Sequence, residues 1–168
     1  CVDENNIKGE IEQMTDAELK ARSRLRCREI MTKAVTTASP KDTLQDVSIL
    51  LRDKDIGSVP VVADGKLAGI VTDRDIVIRG VAEGVENDAA IRTVMTSEVF
   101  TVKGDDFVFE AVRLMGDKQI RRIPVVSEDG SLAGIIALAD VALEVEDDKE
   151  LAEALEEISS GAGFWGRK

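Results

Sequence analysis

The chain has 168 residues, of which 43% are apolar, 33% charged and 3% aromatic. Its 33 acidic residues outnumber its 22 basic ones, and the formal charge of −11 opposes a broad nucleic-acid-binding surface, since such surfaces neutralise phosphates with Lys and Arg. The sequence has no histidine and no apolar run of the ~20 residues that a membrane-spanning helix needs, so His-based triads, zinc sites with His ligands and membrane insertion are excluded. We therefore expect a globular protein with neither a nucleic acid nor a membrane as partner.

Residues 1–27 predict an N-terminal helical extension, because Thr15-Asp16-Ala17-Glu18 is a capping-box pattern. The two cysteines, Cys1 and Cys27, make no disulfide framework and favour a reducing, cytoplasmic location. For Cys27 the sequence predicts a small, half-buried residue, with a free reactive thiol as the alternative.

The middle of the chain contains the same pattern twice, at an offset of 64 positions that becomes 65 after one extra residue in a turn. The matched landmarks are Met-Thr at 31–32 and 95–96, Pro-Val-Val at 60–62 and 124–126, Leu-Ala-Gly-Ile at 67–70 and 132–135, and a closing Asp75 and Asp140. Such a period indicates two copies of one supersecondary unit. We define them as repeat 1, residues 28–85, and repeat 2, residues 86–145.

Repeat 1 predicts the element order β-α-β-β-α. An extended piece at Val35–Ala38 leads to a helix over Leu44–Asp53, with Thr43 as its N-cap. Two β-rich runs follow, joined by Asp64-Gly65, which is a strong hairpin signal, and a second helix begins near Asp73.

Repeat 2 predicts the same order. An extended piece at Val99–Val102 precedes a helix over Phe107–Lys118 that Asp106 caps. The turn Glu128-Asp129-Gly130 joins the next two strands, and the last helix begins near Ala139. The inner face of the first helix is predicted to consist of Val108, Ala111, Val112 and Met115.

These elements predict an α+β fold in which two β-α-β-β-α repeats pack as one pseudo-two-fold module, because neither copy has enough apolar surface to stand alone. Residues 146–168 predict an acidic C-terminal helix and a flexible tail. The tail residues Phe164 and Trp165 are interpreted either as a disordered end or as a docking element for a protein partner.

The ordered motifs resemble a tandem pair of CBS domains, the module named for cystathionine β-synthase. The resemblance is carried by Ile30-Met31-Thr32, by Ile-Gly-Ser-Val-Pro-Val-Val at 56–62, by Leu-Ala-Gly-Ile-Val-Thr-Asp-Arg-Asp at 67–75 and by their second copies. It implies a regulatory module, without a catalytic cofactor, that binds an adenosine-containing ligand between the copies. The helical extensions on both sides favour a stand-alone protein that is not an enzyme, with a regulatory fragment of a larger enzyme or transporter as the alternative. The implied ligands are AMP, ADP, ATP, S-adenosylmethionine or NADH, and the implied assembly is a homodimer.

Thr72 and Asp75 are the candidate ribose-binding residues. The run Gly69–Asp75 passes from a strand into a helix N-terminus, where a carboxylate can accept hydrogen bonds from both hydroxyls of a ribose. The resemblance assigns this role to the matching Thr and Asp. The alternative is that Thr-x-x-Asp is only a capping box, which needs no ligand.

Arg121 and Arg122 are the candidate phosphate-binding residues, because guanidinium groups bind phosphate oxygens in a bidentate manner. The resemblance places this pair at the phosphate end of the site that holds Asp75. Alternation along a strand predicts that one faces the cleft and the other faces outward. The alternative is an ion pair with one of the many surface acids. The candidate adenine pocket, whose members are also ordinary core residues, consists of Val99, Thr101, Ile120, Ile123 and Pro124.

A second, weaker site is predicted in the symmetry-related position. It keeps Asp140 but has Ala137 where repeat 1 has Thr72, and its opposite wall lacks an arginine pair. Its residues are Thr37, Ile56, Gly57, Ser58 and Asp140. We therefore expect one competent site per chain and a second that is weak or empty.

Two classes of function remain beside an enzyme. The first is a ligand-sensing regulatory module, and the alternative is an interaction scaffold with vestigial clefts that works through its acidic C-terminal helix and tail. An enzyme is disfavoured, because the sequence shows no nucleophile–base pair, metal-ligand cluster, P-loop or GxGxxG motif.

Overall fold

The computed structural model describes residues 25–144. The predicted N-terminal helix around Thr15, Cys1, and the C-terminal helix and tail with Phe164 and Trp165 lie outside the described residues. Within residues 25–144, none of the helices is long and apolar enough to cross a lipid bilayer.

Repeat 1 follows the predicted order of elements. The short helix α1 covers Cys27–Ile30, helix α2 Leu44–Lys54, strand β1 Ser58–Ala63 and strand β2 Lys66–Thr72. One α-helical turn, α3, covers Asp73–Asp75 and continues into a π-helical segment, π1, over Ile76–Val81. The predicted strand at Val35–Ala38 is reduced to a single parallel bridge between Ala38 and Val61.

Repeat 2 has the same order. A 3₁₀ turn at Ile91–Thr93 precedes strand β3 at Val102–Lys103, helix α4 at Val108–Lys118, strand β4 at Arg122–Val126, strand β5 at Leu132–Ala137 and helix α5 at Leu138–Glu144. Strands β1 and β2 form one antiparallel sheet, and β3, β4 and β5 form another in that order. The predicted α+β class with two β-α-β-β-α repeats is confirmed.

The two helices at the equivalent positions begin in different ways. Thr43 is the N-cap of α2 as predicted, and its hydroxyl accepts a hydrogen bond from the Asp46 N–H. The prediction that Asp106 caps α4 is wrong. The N-cap is Phe107, and the Asp106 carboxylate instead accepts a hydrogen bond from the Lys103 N–H at 2.6 Å, within the preceding turn.

The turn Asp64-Gly65 forms the predicted two-residue hairpin between β1 and β2. Both residues have positive φ, 51° and 77°, which is the backbone that a type I′ turn requires. Both hairpins also carry a register irregularity at the equivalent place, after Val61 in β1 and after Val125 in β4. The sequence repeat is therefore a repeat of backbone geometry.

Each repeat completes its core with a segment at the N-terminal end of the other repeat. Cys27 of α1 is fully buried in the core of repeat 2, and Ile91 is fully buried in the core of repeat 1. Equivalent backbone bonds hold both segments: the Cys27 N–H donates to the Asp106 carbonyl at 2.9 Å, and the Ile91 N–H donates to the Asp42 carbonyl at 2.7 Å. Cys27 is thus a buried free thiol rather than a half-buried residue.

This exchange explains two of the repeated motifs. A Cβ added to Gly69 would lie 2.8 Å from the Met95 sulfur, and one added to Gly134 would lie 2.6 Å from the Met31 sulfur. Each Met-Thr motif therefore packs onto the Leu-Ala-Gly-Ile strand of the other repeat, where only glycine leaves enough room. The segment 27–32 therefore packs against repeat 2, and the segment 91–96 packs against repeat 1.

Candidate functional site

A cavity of about 930 Å³ lies between the two repeats. Its repeat 1 wall includes Ser58, Thr72, Asp73, Arg74 and Asp75. The N-terminal part of repeat 2 contributes Thr96, Glu98, Val99 and Phe100. The repeat 2 wall includes Gln119, Ile120, Arg121, Arg122 and Ala137. The predicted ribose-binding and phosphate-binding residues thus line one cavity.

Thr72 and Asp75 form the capping box that the alternative interpretation predicts. The Thr72 N–H and hydroxyl donate to Asp75 Oδ2 at 3.0 and 2.7 Å, and the Asp75 N–H donates to the Thr72 hydroxyl oxygen at 3.1 Å. All of these bonds to the carboxylate use Oδ2. The cap therefore occupies one carboxylate oxygen, and Oδ1 remains available for a further partner.

The second oxygen of Asp75 lies beside a cation. Arg79 Nη1 of π1 is 3.6 Å from Asp75 Oδ1, and the same nitrogen donates to the Val94 carbonyl at 3.2 Å and to the Thr96 hydroxyl at 3.1 Å. The Asp75 side chain is 17% exposed. A ligand hydroxyl that approaches Oδ1 from the cavity thus meets a mostly buried carboxylate.

Arg121 and Arg122 both line the cavity, and both are exposed. The expectation that one of them faces outward is wrong, because β4 begins at Arg122 and strand alternation does not extend to Arg121. In residues 25–144, neither arginine has an acidic side chain within ion-pair distance. The cavity therefore has a cationic end whose hydrogen-bond donors face solvent.

The guanidinium of Arg122 reaches across to repeat 1. A Cβ added to Gly57 would lie 3.2 Å from Arg122 Nη2 and 3.5 Å from Asp73 Oδ2. The missing side chain at Gly57 thus gives Arg122 room to lie over the backbone of the other repeat. The cationic end of the cavity is built by both repeats together.

The predicted adenine pocket is brought together only in part. Val99 and Ile120 line the cavity. Ile123 is fully buried in the core of repeat 2, Pro124 is buried beside it, and Thr101 is half-buried, and none of these three lines the cavity. The alternative interpretation as a core residue holds for Ile123, which belongs to the hydrophobic core of repeat 2.

The second predicted site lies mostly outside this cavity and lacks one hydroxyl. Asp140 Oδ2 accepts a hydrogen bond from the Ala137 N–H at 2.9 Å, as Asp75 Oδ2 does from the Thr72 N–H. Ala137 has no hydroxyl, so the hydrogen bonds between the Thr72 hydroxyl and Asp75 have no counterpart in repeat 2. Of its predicted residues, Ser58 lines the cavity, whereas Thr37, Ile56, Gly57 and Asp140 do not. Ser58 lies directly opposite Thr72 in the hairpin register.

Sequence reasoning missed Phe100, Glu98 and Arg79. Phe100 is 43% exposed in the cavity wall, and Lys118 Nζ lies 4.7 Å from its ring centroid. Phe100 could have been singled out from the sequence, because aromatic residues are scarce in this chain. No comparable feature of the sequence indicates the role of Arg79. Its contacts with Val94 and Thr96 are made across a turn, and the sequence does not specify the path of that turn.

The CBS domain family model matches residues 27–80 and 91–147, more than half of the chain. A relative is the CBS domain-containing protein YhcV of Bacillus subtilis, which is 36% identical over 132 residues, or 79% of this chain and 94% of that protein.

Two solved structures are similar in fold and sequence. The CBS domain pair of protein MJ0100, in complex with 5′-methylthioadenosine and S-adenosylmethionine, has a TM-score of 0.65 and 27% identity, covering 72% of this chain and 95% of that one. CBSX2 in complex with AMP has a TM-score of 0.65 and 26% identity, covering 73% of this chain and 98% of that one.

Proposed function

The chain belongs to the CBS domain family, and from this premise we propose that it is a regulatory module that binds an adenosine-containing ligand in the cavity between its repeats. The observation that carries the proposal is the meeting of Thr72 and Asp75 of repeat 1 with Arg121 and Arg122 of repeat 2 around one cavity. These residues offer a hydroxyl-binding carboxylate and a phosphate-binding cationic pair. The proposal assigns no chemical step to the site.

The ribose binds at Asp75. Its Oδ2 is used by the cap of α3, and its Oδ1 accepts hydrogen bonds from the ribose hydroxyls. A hydrogen bond to an ionised carboxylate is about twice as strong as one between neutral groups. Capping and ribose binding therefore use different oxygens of the same side chain.

Phosphate groups bind at Arg121 and Arg122. Their guanidinium groups are exposed in the cavity and have no acidic partner in the described part of the chain. The cationic pair favours AMP, ADP, ATP and the pyrophosphate of NADH over S-adenosylmethionine, whose sulfonium is positively charged. The adenine lies against Val99, Ile120 and Phe100.

Repeat 2 supplies at most a weak second site. Ala137 lacks the hydroxyl of Thr72, and Gly57 and Ser58 stand where repeat 2 has its arginines. The Arg122 guanidinium also lies against Gly57, close to the place where a second phosphate would bind. One ligand per chain is the expected stoichiometry.

Calorimetric titration with AMP, ADP, ATP, S-adenosylmethionine and NADH tests this function. The wild type is expected to bind a phosphorylated adenosine ligand at one site per chain, and Asp75→Ala is expected to weaken that binding at least ~10-fold, from the loss of a charge-assisted hydrogen bond. Absence of binding to the wild type would reject the sensor and favour the interaction scaffold.

Asp140→Ala is the matched control, because Asp140 accepts the same type of backbone hydrogen bond at the start of α5 that Asp75 accepts at the start of α3. Both variants lose the bond from the backbone N–H and share its cost in stability, and Asp75→Ala also loses the bond from the Thr72 hydroxyl. Only Asp75→Ala should lose the main binding event. If both variants lose affinity equally, the effect is structural and the ribose assignment is wrong.

We also propose that the module forms a homodimer through the face of π1. Val77, Ile78 and Val81 are 55%, 53% and 68% exposed, an unusual density of apolar surface on one short segment. Sedimentation of the wild type as a dimer and of Val77→Asp/Val81→Asp as a monomer is expected, and an unchanged dimer would reject this surface. A cytoplasmic location, consistent with the free thiol of Cys27, belongs to the same proposal.

A further inference from the structure

Arg79 connects three parts of the molecule through one nitrogen. Its Nη1 donates to the Val94 carbonyl and to the Thr96 hydroxyl, and it lies 3.6 Å from Asp75 Oδ1. Val94 and Thr96 belong to the N-terminal segment of repeat 2, which packs against repeat 1. Arg79 is not needed for the proposed ligand contacts, since it does not line the cavity.

The anchor of Arg79 is rigid. Thr96 is paired with Ile70 of β2 by two backbone hydrogen bonds of 2.8 and 2.9 Å, and Val94 is fully buried in the core of repeat 1. Both acceptors of the guanidinium are therefore held in place. The cation beside Asp75 has a defined position even though the Arg79 side chain is 49% exposed.

The location of Arg79 in π1 is part of this geometry. In π1 the backbone hydrogen bonds join residue i to residue i+5, as in the 3.0 Å bond from the Ala82 N–H to the Val77 carbonyl. Such π segments occur frequently at functional sites. In repeat 2 the helix after β5 is α-helical over Leu138–Glu144, and the residue four positions after Asp140 is an acid, Glu144, rather than a cation.

We propose that Arg79 is a positioning residue that orients Oδ1 of Asp75 toward the ribose and fastens it to the N-terminal segment of repeat 2. The inference rests on the proposed function, because it concerns the same ribose contact. The distance of 3.6 Å is an ion-pair distance and leaves the lone pairs of Oδ1 free to accept from ligand hydroxyls. The Thr72 cap fixes Oδ2 while Arg79 fixes Oδ1, so the carboxylate is held from both sides.

The test compares ligands with and without the ribose hydroxyls. AMP and ATP, and their 2′,3′-dideoxy counterparts, are titrated into the wild type, Arg79→Ala and Arg79→Gln. Arg79→Gln keeps a hydrogen-bond donor for Val94 and Thr96 but removes the charge, so it reports on the site even if Arg79→Ala is poorly folded. Arg113→Ala, which removes an exposed arginine of α4 outside the cavity, controls for the change in net charge.

Both Arg79 variants are expected to bind AMP or ATP about fivefold more weakly than the wild type, which is the upper range for an exposed ion pair, and to bind the dideoxy ligands as the wild type does. In an Asp75→Asn background, Arg79→Gln should cause no further loss. Equal losses for ligands with and without the diol, or wild-type affinity for all of them, would overturn the inference. Failure of the wild type to bind AMP, ATP or any other ligand of the calorimetric panel would instead reject the proposed function.

Discussion

In repeat 1 the strand β2 ends at Thr72 and the following helix carries Asp75 and Arg79, whereas the equivalent positions of repeat 2 hold Ala137, Asp140 and Glu144. At the start of β4 the relation is reversed, since repeat 2 has Arg121 and Arg122 where repeat 1 has Gly57 and Ser58. Each repeat thus supplies one half of a site and lacks the other half. The difference shows that two repeats with the same order of elements can form an asymmetric pocket, because the pocket lies where the two copies meet.

The backbone symmetry itself depends on exchange between the repeats. Cys27 and Ile91 occupy equivalent positions and each is buried in the core of the other repeat. Neither core is complete without the segment at the N-terminal end of the other copy. The two halves are therefore expected to unfold together.

The largest expected effect is the loss of stability when a residue in either hydrophobic core is truncated. Leu51 and Met115 are equivalent residues, 6% and 0% exposed, and replacing either by Ala should lower the free energy of unfolding by about 2–5 kcal/mol. Because the segments are exchanged, each variant should still show one transition that includes both repeats. Urea unfolding followed by circular dichroism, with hydrogen exchange resolved by repeat, measures this.

Ile49→Ala is the control, because Ile49 is on the same helix as Leu51 but is 39% exposed and should cost less than about 1 kcal/mol. Separate transitions, with repeat 2 unaffected in Leu51→Ala, would show that the repeats are independent domains.

The next effect concerns the phosphate-binding half of the site. Arg122→Ser places the residue of repeat 1 into repeat 2, and Arg121→Ala removes the neighbouring charge. Each should weaken ATP binding about 10-fold or more, as expected for losing a hydrogen bond to a charged group, while adenosine binding stays unchanged. Titration calorimetry with both ligands measures the difference. An equal loss for adenosine would show that these arginines shape the cavity instead of binding phosphate.

A smaller effect on stability is expected from exchanging the residues that precede α3 and α5. Thr72→Val keeps the side-chain shape but removes the hydroxyl that bonds to Asp75, and should lower the free energy of unfolding by about 1 kcal/mol. Ala137→Thr supplies the missing hydroxyl next to Asp140 and should raise it by up to the same amount. Thermal unfolding of both variants measures the two shifts, and a destabilised Ala137→Thr would indicate that repeat 2 has no space for a cap.

The smallest effect at neutral pH comes from Cys27. Burial, with added repulsion from Asp106 and Glu110, raises the pKa of its thiol to about 12 from an ordinary value of 9.0. The folded chain therefore keeps this proton above pH 9 while the unfolded chain releases it, so stability should fall as the pH rises from about 9 toward 12. The equivalent residue Ile91 does not titrate.

In a Cys1→Ser background, Cys27→Val should remove this part of the loss of stability at alkaline pH. Near pH 7 the thiol should contribute no pH dependence to the stability of either protein. Urea midpoints of both proteins between pH 8 and 10.5 provide the measurement. Parallel curves for the two proteins would show that the thiol titrates normally in the folded state.

The sequence by itself determined the repeat, the α+β order of elements, the hairpin at Asp64-Gly65 and the inner face of α4. These features depend on interactions between residues close in the chain, such as turn dihedrals, caps and the spacing of apolar side chains. The family also followed from the sequence, because the ordered motifs occur twice. The joint placement of Thr72 and Asp75 with Arg121 and Arg122 was predicted from the family resemblance.

Only the tertiary structure decided where the repeats exchange segments and which side chains reach the cavity. Ile123 belongs to the core although it neighbours Arg122, and Phe100 belongs to the cavity although it is apolar. The contacts of Arg79 join residues on either side of a turn, and the room that Gly57 leaves is used by Arg122 from the other repeat. Such contacts depend on how distant segments pack, and local patterns in the sequence do not contain that information.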